Sequence, residues 1–167
     1  MCDEADRFDA MTHTCVVRAS GRVDCWGTND RGQLGDGTAI MRTVPVPVIA
    51  SHSCARRRGG DVVCWGGNDD GQLGDGTAVG RNGPVSVLGL TDAVGLSAGQ
   101  WHSCVLRATG SVVCWGSNAS GQLGDGTIEG RLAPVAVAGL GLVVEVSAGG
   151  GHTCVRRADG SVVCWGM

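Results

Sequence analysis

Apolar residues along the chain fall in short runs rich in Val, Leu and Ala. Gly- and Asp-rich segments break these runs, and no stretch carries the apolar 3.6-residue period that would predict a helix. The strongest pattern is a stretch that occurs four times, at 13–27, 52–66, 102–116 and 152–166. Its clearest copy runs from His102 through Cys104, Arg107, Gly110 and Cys114 to Trp115-Gly116. Two extended arms around a Gly-containing break predict a β-hairpin. The loop Ala108-Thr109-Gly110 fits a type I turn followed by a Gly in the left-handed region, where other residues meet a steric penalty. With Arg107 facing Ser111, the strand period of two puts His102, Cys104 and Cys114 on one face, with Val105, Val113 and Trp115 on the other.

A second block follows the first three hairpins, at Asn29 to Thr38, Asn68 to Thr77 and Asn118 to Thr127. A Pro-Val segment comes next, marked by Pro45, Pro84 and Pro134, and then an apolar strand ending in Ser-Ala-Gly, at Val94 to Gly99 and Val144 to Gly149. One full repeat thus predicts four short strands per period of about fifty residues, which is what a propeller blade needs. The fold expected is all-β: β-propeller repeats, about four blades, each with a Cys-Cys hairpin. The repeat domain is expected over 13–167, after an irregular segment at 1–12. The hairpin histidines His13, His52, His102 and His152 are spaced 39, 50 and 50 residues apart. The short first interval leaves no counterpart for Gly89 to Gly99, so the second blade is expected to lack a strand unless Val46-Pro47-Val48 replaces it. Pro47 has no N–H to give, which suits that segment to a sheet edge.

The register places Cys15 opposite Cys25, Cys54 opposite Cys64, Cys104 opposite Cys114 and Cys154 opposite Cys164. Directly opposed residues have Cα atoms about 4.5 to 5.5 Å apart, inside the range a disulfide spans. Three readings compete: disulfides, buried thiols acting as small apolar groups, and zinc held by a His and two Cys. Disulfides are favoured, because the zinc reading lacks a fourth ligand and the close Cys pairs usual in such sites. Cys2 is left over. Disulfides imply an oxidising compartment, extracellular or periplasmic, although the first residues, Met1 to Ala10, are acidic and polar and show no signal peptide.

Composition narrows the partners. Gly is frequent at 30 residues, Cys high at 9, and the formal net charge is −3. No basic block exceeds Arg56-Arg57-Arg58, which argues against a nucleic-acid surface, and no apolar run is long enough for a helix to span a bilayer.

The order His-Ser/Thr, Gly, Val-x-x-Trp-Gly-x-Asn-x-x-Gly-Gln-Leu-Gly resembles the repeat of the regulator of chromosome condensation family. It is fullest at His102 to Gly124 and recurs at His13 to Gly35 and His52 to Gly74. The resemblance implies a propeller, usually of seven blades, so this chain looks like part of a ring, a truncated copy or one member of an oligomer. It also implies functions carried by loops: nucleotide exchange on a small GTPase in the nuclear founder, and protein binding or enzyme inhibition in secreted bacterial members, which the cysteine-containing copies here resemble more.

A group doing chemistry should break the repeat rather than follow it. The four histidines are therefore expected to be structural, their rings bonding neighbouring backbone. Arg18, Arg57, Arg107 and Arg157, beside the turns, are expected to be solvated. The block at Gly121 to Thr127 lacks the Gly-Lys-Ser/Thr end of a phosphate loop, and Asp69, Asp70 and Asp75 do not match an EF-hand. No catalytic, cofactor or metal residues are assigned. Trp101, Arg42, Arg81, Arg131, Glu129 and the Arg56 to Arg58 run are candidates as residues read as non-repeating, and Trp101 is the candidate binding anchor. The expected function is a non-enzymatic scaffold binding a protein or other macromolecule through its loops. The alternatives are an exchange-factor-like or cytosolic scaffold propeller and a truncated fragment without function.

Overall fold

The computed structural model describes residues 7–10, 13–17, 23–27, 40–47 and 52–167. They form fourteen antiparallel strands in four sheets. The first sheet has the order β1 (Arg7–Ala10), β2 (His13–Val17), β3 (Val23–Gly27), β4 (Arg42–Pro47). The second contains β5 (Ser53–Arg56), β6 (Val62–Gly66) and β7 (Arg81–Ser86). The third holds β8 (Ala93–Ala98), β9 (His102–Arg107), β10 (Val112–Gly116) and β11 (Arg131–Ala136). The fourth holds β12 (Val143–Ala148), β13 (His152–Arg157) and β14 (Val162–Gly166). Each full blade runs from the Ser-Ala-Gly strand through the two hairpin arms to the Pro-Val strand. This is the all-β propeller-repeat architecture expected from the pattern.

The hairpins owe their register to the turn. The Arg107 amide donates to the Ser111 carbonyl at 2.9 Å, the Gly110 amide donates to Arg107 at 2.9 Å, and Gly110 sits at φ +78°. Cys104 then faces Cys114, as Cys15 faces Cys25, Cys54 faces Cys64 and Cys154 faces Cys164. Disulfides link Cys54–Cys64, Cys104–Cys114 and Cys154–Cys164, each with Cα atoms 4.1 Å apart. Cys25 is also disulfide-bonded, while the side chain of Cys15 and all of Cys2 lie outside the described residues.

Two sequence expectations need amendment. Arg7–Ala10, within the segment expected to be irregular, forms β1 and pairs along β2 from Arg7↔Val16 to Ala10↔His13. It takes the place of the Ser-Ala-Gly strand without its sequence, because an edge strand is held by backbone pairing that many side chains tolerate. Among the described residues the second sheet has three strands, and Val46 and Pro47 do not supply a fourth. They belong to β4, opposite Cys25 and Asp24 at the edge of the first sheet, where a residue without an N–H loses no ladder bond.

The sheets pack face to face. Val62, Cys64, Leu73 and Val87 of the second repeat bury Leu90, Ala93, Val105, Val113 and Trp115 of the third. On the other side of the third sheet, Cys104, Leu106, Val112 and Cys114 meet Val143 and Val155 of the fourth. The second and third hairpins thus turn their Cys faces toward the following blade, and the third and fourth turn their Val-Trp faces toward the preceding one. At about 25 cal/mol per Å², burial of these apolar faces is the main force holding blade to blade.

Candidate functional site

The repeated His, Ser/Thr, Gln and Trp converge between blades. His52 Nε2 lies 2.7 Å from Ser103 Oγ of the next blade, and His102 Nε2 lies 2.8 Å from Thr153 Oγ1. The Ser103 and Thr153 hydroxyls donate to the carbonyls of Gln72 and Gln122, at 3.2 and 2.8 Å. Trp115 and Trp165 donate from Nε1 to those same two carbonyls, at 2.7 and 2.9 Å. Since each hydroxyl proton goes to a carbonyl, each imidazole donates from Nε2 and is unprotonated at Nδ1. The Nδ1 atoms of His52 and His102 are buried without a hydrogen-bond partner, so a proton there would find no acceptor. Burial first, and the neighbouring imidazole second, lower both rings to a pKa of about 4. His52 and His102 grip a hydroxyl of the next blade rather than the neighbouring backbone expected for them, while the side chain of His13 lies outside the described residues and His152 is exposed.

The Gly-Gln-Leu-Gly block is also scaffold. Asn118 Oδ1 accepts from the Leu123 amide at 2.9 Å, and Asp125 Oδ1 accepts from the Thr127 amide and hydroxyl at 3.0 and 2.7 Å. Arg131 closes the loop with Nε 2.8 Å from Asp125 Oδ2, and Arg81 does the same to Asp75 at 3.1 Å. Burial alone would raise the Asp125 carboxyl; the Thr127 hydroxyl and the Arg131 guanidinium outweigh it and hold it at about 2. Arg81 and Arg131, read from the sequence as non-repeating, are therefore corrected to turn-closing residues that recur in the repeat. The side chain of Arg42 lies outside the described residues. Glu129 is exposed 4.0 Å from Arg131, and Arg56, Arg57 and Arg58 are exposed on the surface of the second sheet.

Trp101 stands apart. It precedes β9, where the other copies have Thr12, Ser51 and Gly151, and it is 49% exposed. Its carbonyl accepts from the Ser117 amide at 2.8 Å, so the loop backbone is fixed while the indole reaches solvent. Two of the turn arginines, Arg107 and Arg157, depart from the solvated setting expected of them. Arg107 is not simply solvated: its Nε donates to Asp92 Oδ1 at 2.8 Å and to Oδ2 at 3.1 Å. Arg157 makes no such pair, and its buried Nε has no partner. Arg57 is exposed, 3.9 Å from Asp61, and Arg18 lies outside the described residues. Among the described residues no three His, Cys, Asp or Glu side chains converge as a metal site, and no helix is long and apolar enough to cross a membrane.

Comparison with known proteins agrees with this geometry. The family model described as Regulator of chromosome condensation (RCC1) repeat matches residues 59–106 and 109–156, and a second model of the same description matches 12–33 and 93–122. No curated protein sequence matches the chain. Among solved structures, yeast RCC1 (Prp20), determined with Kap60 bound, superposes with a TM-score of 0.74 at 19% identity, over 99% of this chain and 45% of that one. Human WBSCR16 gives 0.74 at 21%, over 98% and 48%. Prp20p from Saccharomyces cerevisiae, in a study that also addressed its binding to Gsp1p and histones, gives 0.68 at 20%, over 99% and 46%. The chain spans just under half the length of these structures, and identities this low establish the shared fold alone.

Proposed function

The chain belongs to the Regulator of chromosome condensation (RCC1) repeat family, and from that premise we propose that it is a non-enzymatic scaffold that binds a protein partner through its loops, in an oxidising compartment outside the cytoplasm. One observation carries this reading. Among the described residues, the repeated polar side chains of the Asn-to-Thr blocks are spent on closing their own loops and the His-hydroxyl contacts on joining blades, whereas Trp101 breaks the repeat and exposes a large aromatic on a fixed loop. Such an aromatic contributes area to a partner at little conformational cost. The Prp20 structures, one solved with Kap60 and the other studied for binding Gsp1p and histones, support a partner-binding role for the fold. The disulfides support the compartment.

The test replaces Trp101 with a photo-cross-linking phenylalanine analogue in chain secreted through an oxidising compartment. A discrete protein adduct, competed away by unlabelled wild-type chain, is the expected result. Adducts that wild-type chain does not compete would sink the reading. Alkylation of the native protein should leave the cysteines of the three hairpin pairs unmodified.

A further inference from the structure

Arg107 and Arg157 occupy the same repeat position in the same backbone setting. In the third sheet the Ala108 amide donates to the Asp92 carbonyl at 2.8 Å; in the fourth the Ala158 amide donates to the Leu142 carbonyl at 2.9 Å. The next amide along each loop is held alike, Ala93 to Gly60 at 3.0 Å and Val143 to Gly110 at 3.0 Å. Only the side chain differs. Asp92 receives Arg107 through both carboxylate oxygens, whereas at its counterpart stands Leu142, and Arg157 is left with a buried Nε that bonds to nothing. Its terminal Nη2 reaches only the Gly139 carbonyl, at 3.5 Å. A cavity of about 360 Å³ opens at this point, lined by the 139–142 loop and by Arg157, Ala158 and Asp159.

We propose that this cavity is a binding site for the carboxylate of an Asp or Glu side chain presented by a partner protein, which takes up on Arg157 the place that Asp92 holds on Arg107. The proposal deepens the scaffold reading and rests on it only in taking the ligand to be part of a protein. A guanidinium meets a carboxylate with two parallel hydrogen bonds, and a buried N–H left open favours an acceptor brought from outside. The volume suits one acidic side chain with a neighbour packed on Leu140 and Leu142. Asp159 is the other charged group facing the site. One of its oxygens accepts from the Ser161 amide and hydroxyl, at 2.9 and 2.6 Å, so its negative charge remains at the rim. That charge selects a singly charged carboxylate over a phosphate dianion.

Titration of the full chain with N-acetyl-Leu-Asp-amide, N-acetyl-Leu-Asn-amide and inorganic phosphate, followed by the amide resonances of residues 139–142 and 158–159, tests this. Saturable shifts with the Asp peptide, at least tenfold weaker binding of the Asn peptide, and loss of the shifts in Arg157→Gln are expected. Leu142→Asp supplies the missing acid internally and should abolish binding while leaving the protein folded, since Leu142 is exposed. Equal binding of the two peptides, equal binding of phosphate, or retention of binding in either variant would overturn the proposal. Trp101 lies at the other end of the strands, so Trp101→Ala should bind the Asp peptide as wild type does. Peptide binding without a competable cross-link at position 101 would leave this site standing and remove the Trp101 reading; the reverse result would remove this site alone.

Discussion

The third and fourth hairpins have nearly one sequence and two environments. Both second arms read Val-Val-Cys-Trp-Gly, yet β10 is buried at all five positions, while β14 alternates between exposed and half-buried. Val112 is 1% exposed and its counterpart Val162 is 63% exposed. The third sheet has a sheet against each face; among the described residues, none covers the outer face of the fourth. An apolar residue in this architecture thus has no fixed worth. Its contribution is set by whether the next blade is present, which is the nearest-neighbour energetics of repeat proteins.

The largest expected effect tests that contrast directly. Trp115 is fully buried, donates to Gln72 and packs with Leu73 and Val87, so Trp115→Ala should cost about 3 to 5 kcal/mol. Trp165 makes the same hydrogen bond to Gln122 but is only half-buried, so Trp165→Ala should cost about half as much. Urea denaturation midpoints check this, and equal losses would refute the idea that the neighbouring blade sets the value.

The next effect is in pH. His52 and His102 titrate near 4 when folded and near 6.5 when unfolded. Between those values the unfolded chain holds more protons, so stability falls as pH drops from about 6.5 and levels off near 4. Each ring can account for about 3 kcal/mol of loss at most. His102→Gln should therefore reduce the slope of the stability profile between pH 6.5 and 4, leaving the part that His52 contributes.

What could be read from the chain follows from the same contrast. Hairpin register depends on residues a few positions apart, so Gly110 and its loop were enough to set Cys104 against Cys114. The three strands of the second sheet among the described residues, against four in the third, were legible in the shortened His13–His52 interval. Contacts between blades were less legible. His102 and Thr153 are 51 residues apart, and their pairing depends on how blades stack. Arg157 was misread for a related reason: grouping it with Arg107 as a repeated residue hid the change of its partner from Asp92 to Leu142. Arg7–Ala10 carries no Ser-Ala-Gly signal and was missed because its strand is defined by pairing with β2.

The smallest effect concerns the disulfides. Each closes a ten-residue separation and should contribute about 2 to 3 kcal/mol through loop entropy, a similar amount in every hairpin. Stability alone would not tell them apart; access would. Cys104 and Cys114 are fully buried under the fourth sheet, while Cys164 is exposed and Cys154 half-buried. Thiol–disulfide exchange requires a thiolate to reach a sulfur, so a small dithiol in native buffer should reduce Cys154–Cys164 well before Cys104–Cys114. Timed alkylation with peptide mapping measures the order. Opening of the buried pair should wait on separation of the third and fourth sheets, and Trp165→Ala, which weakens that contact, should speed reduction of Cys104–Cys114 more than that of Cys154–Cys164. If both bonds open at one rate in wild type, the blades do not stay stacked long enough to shield the inner pair, and the difference between the third and fourth hairpins does not extend to their chemistry.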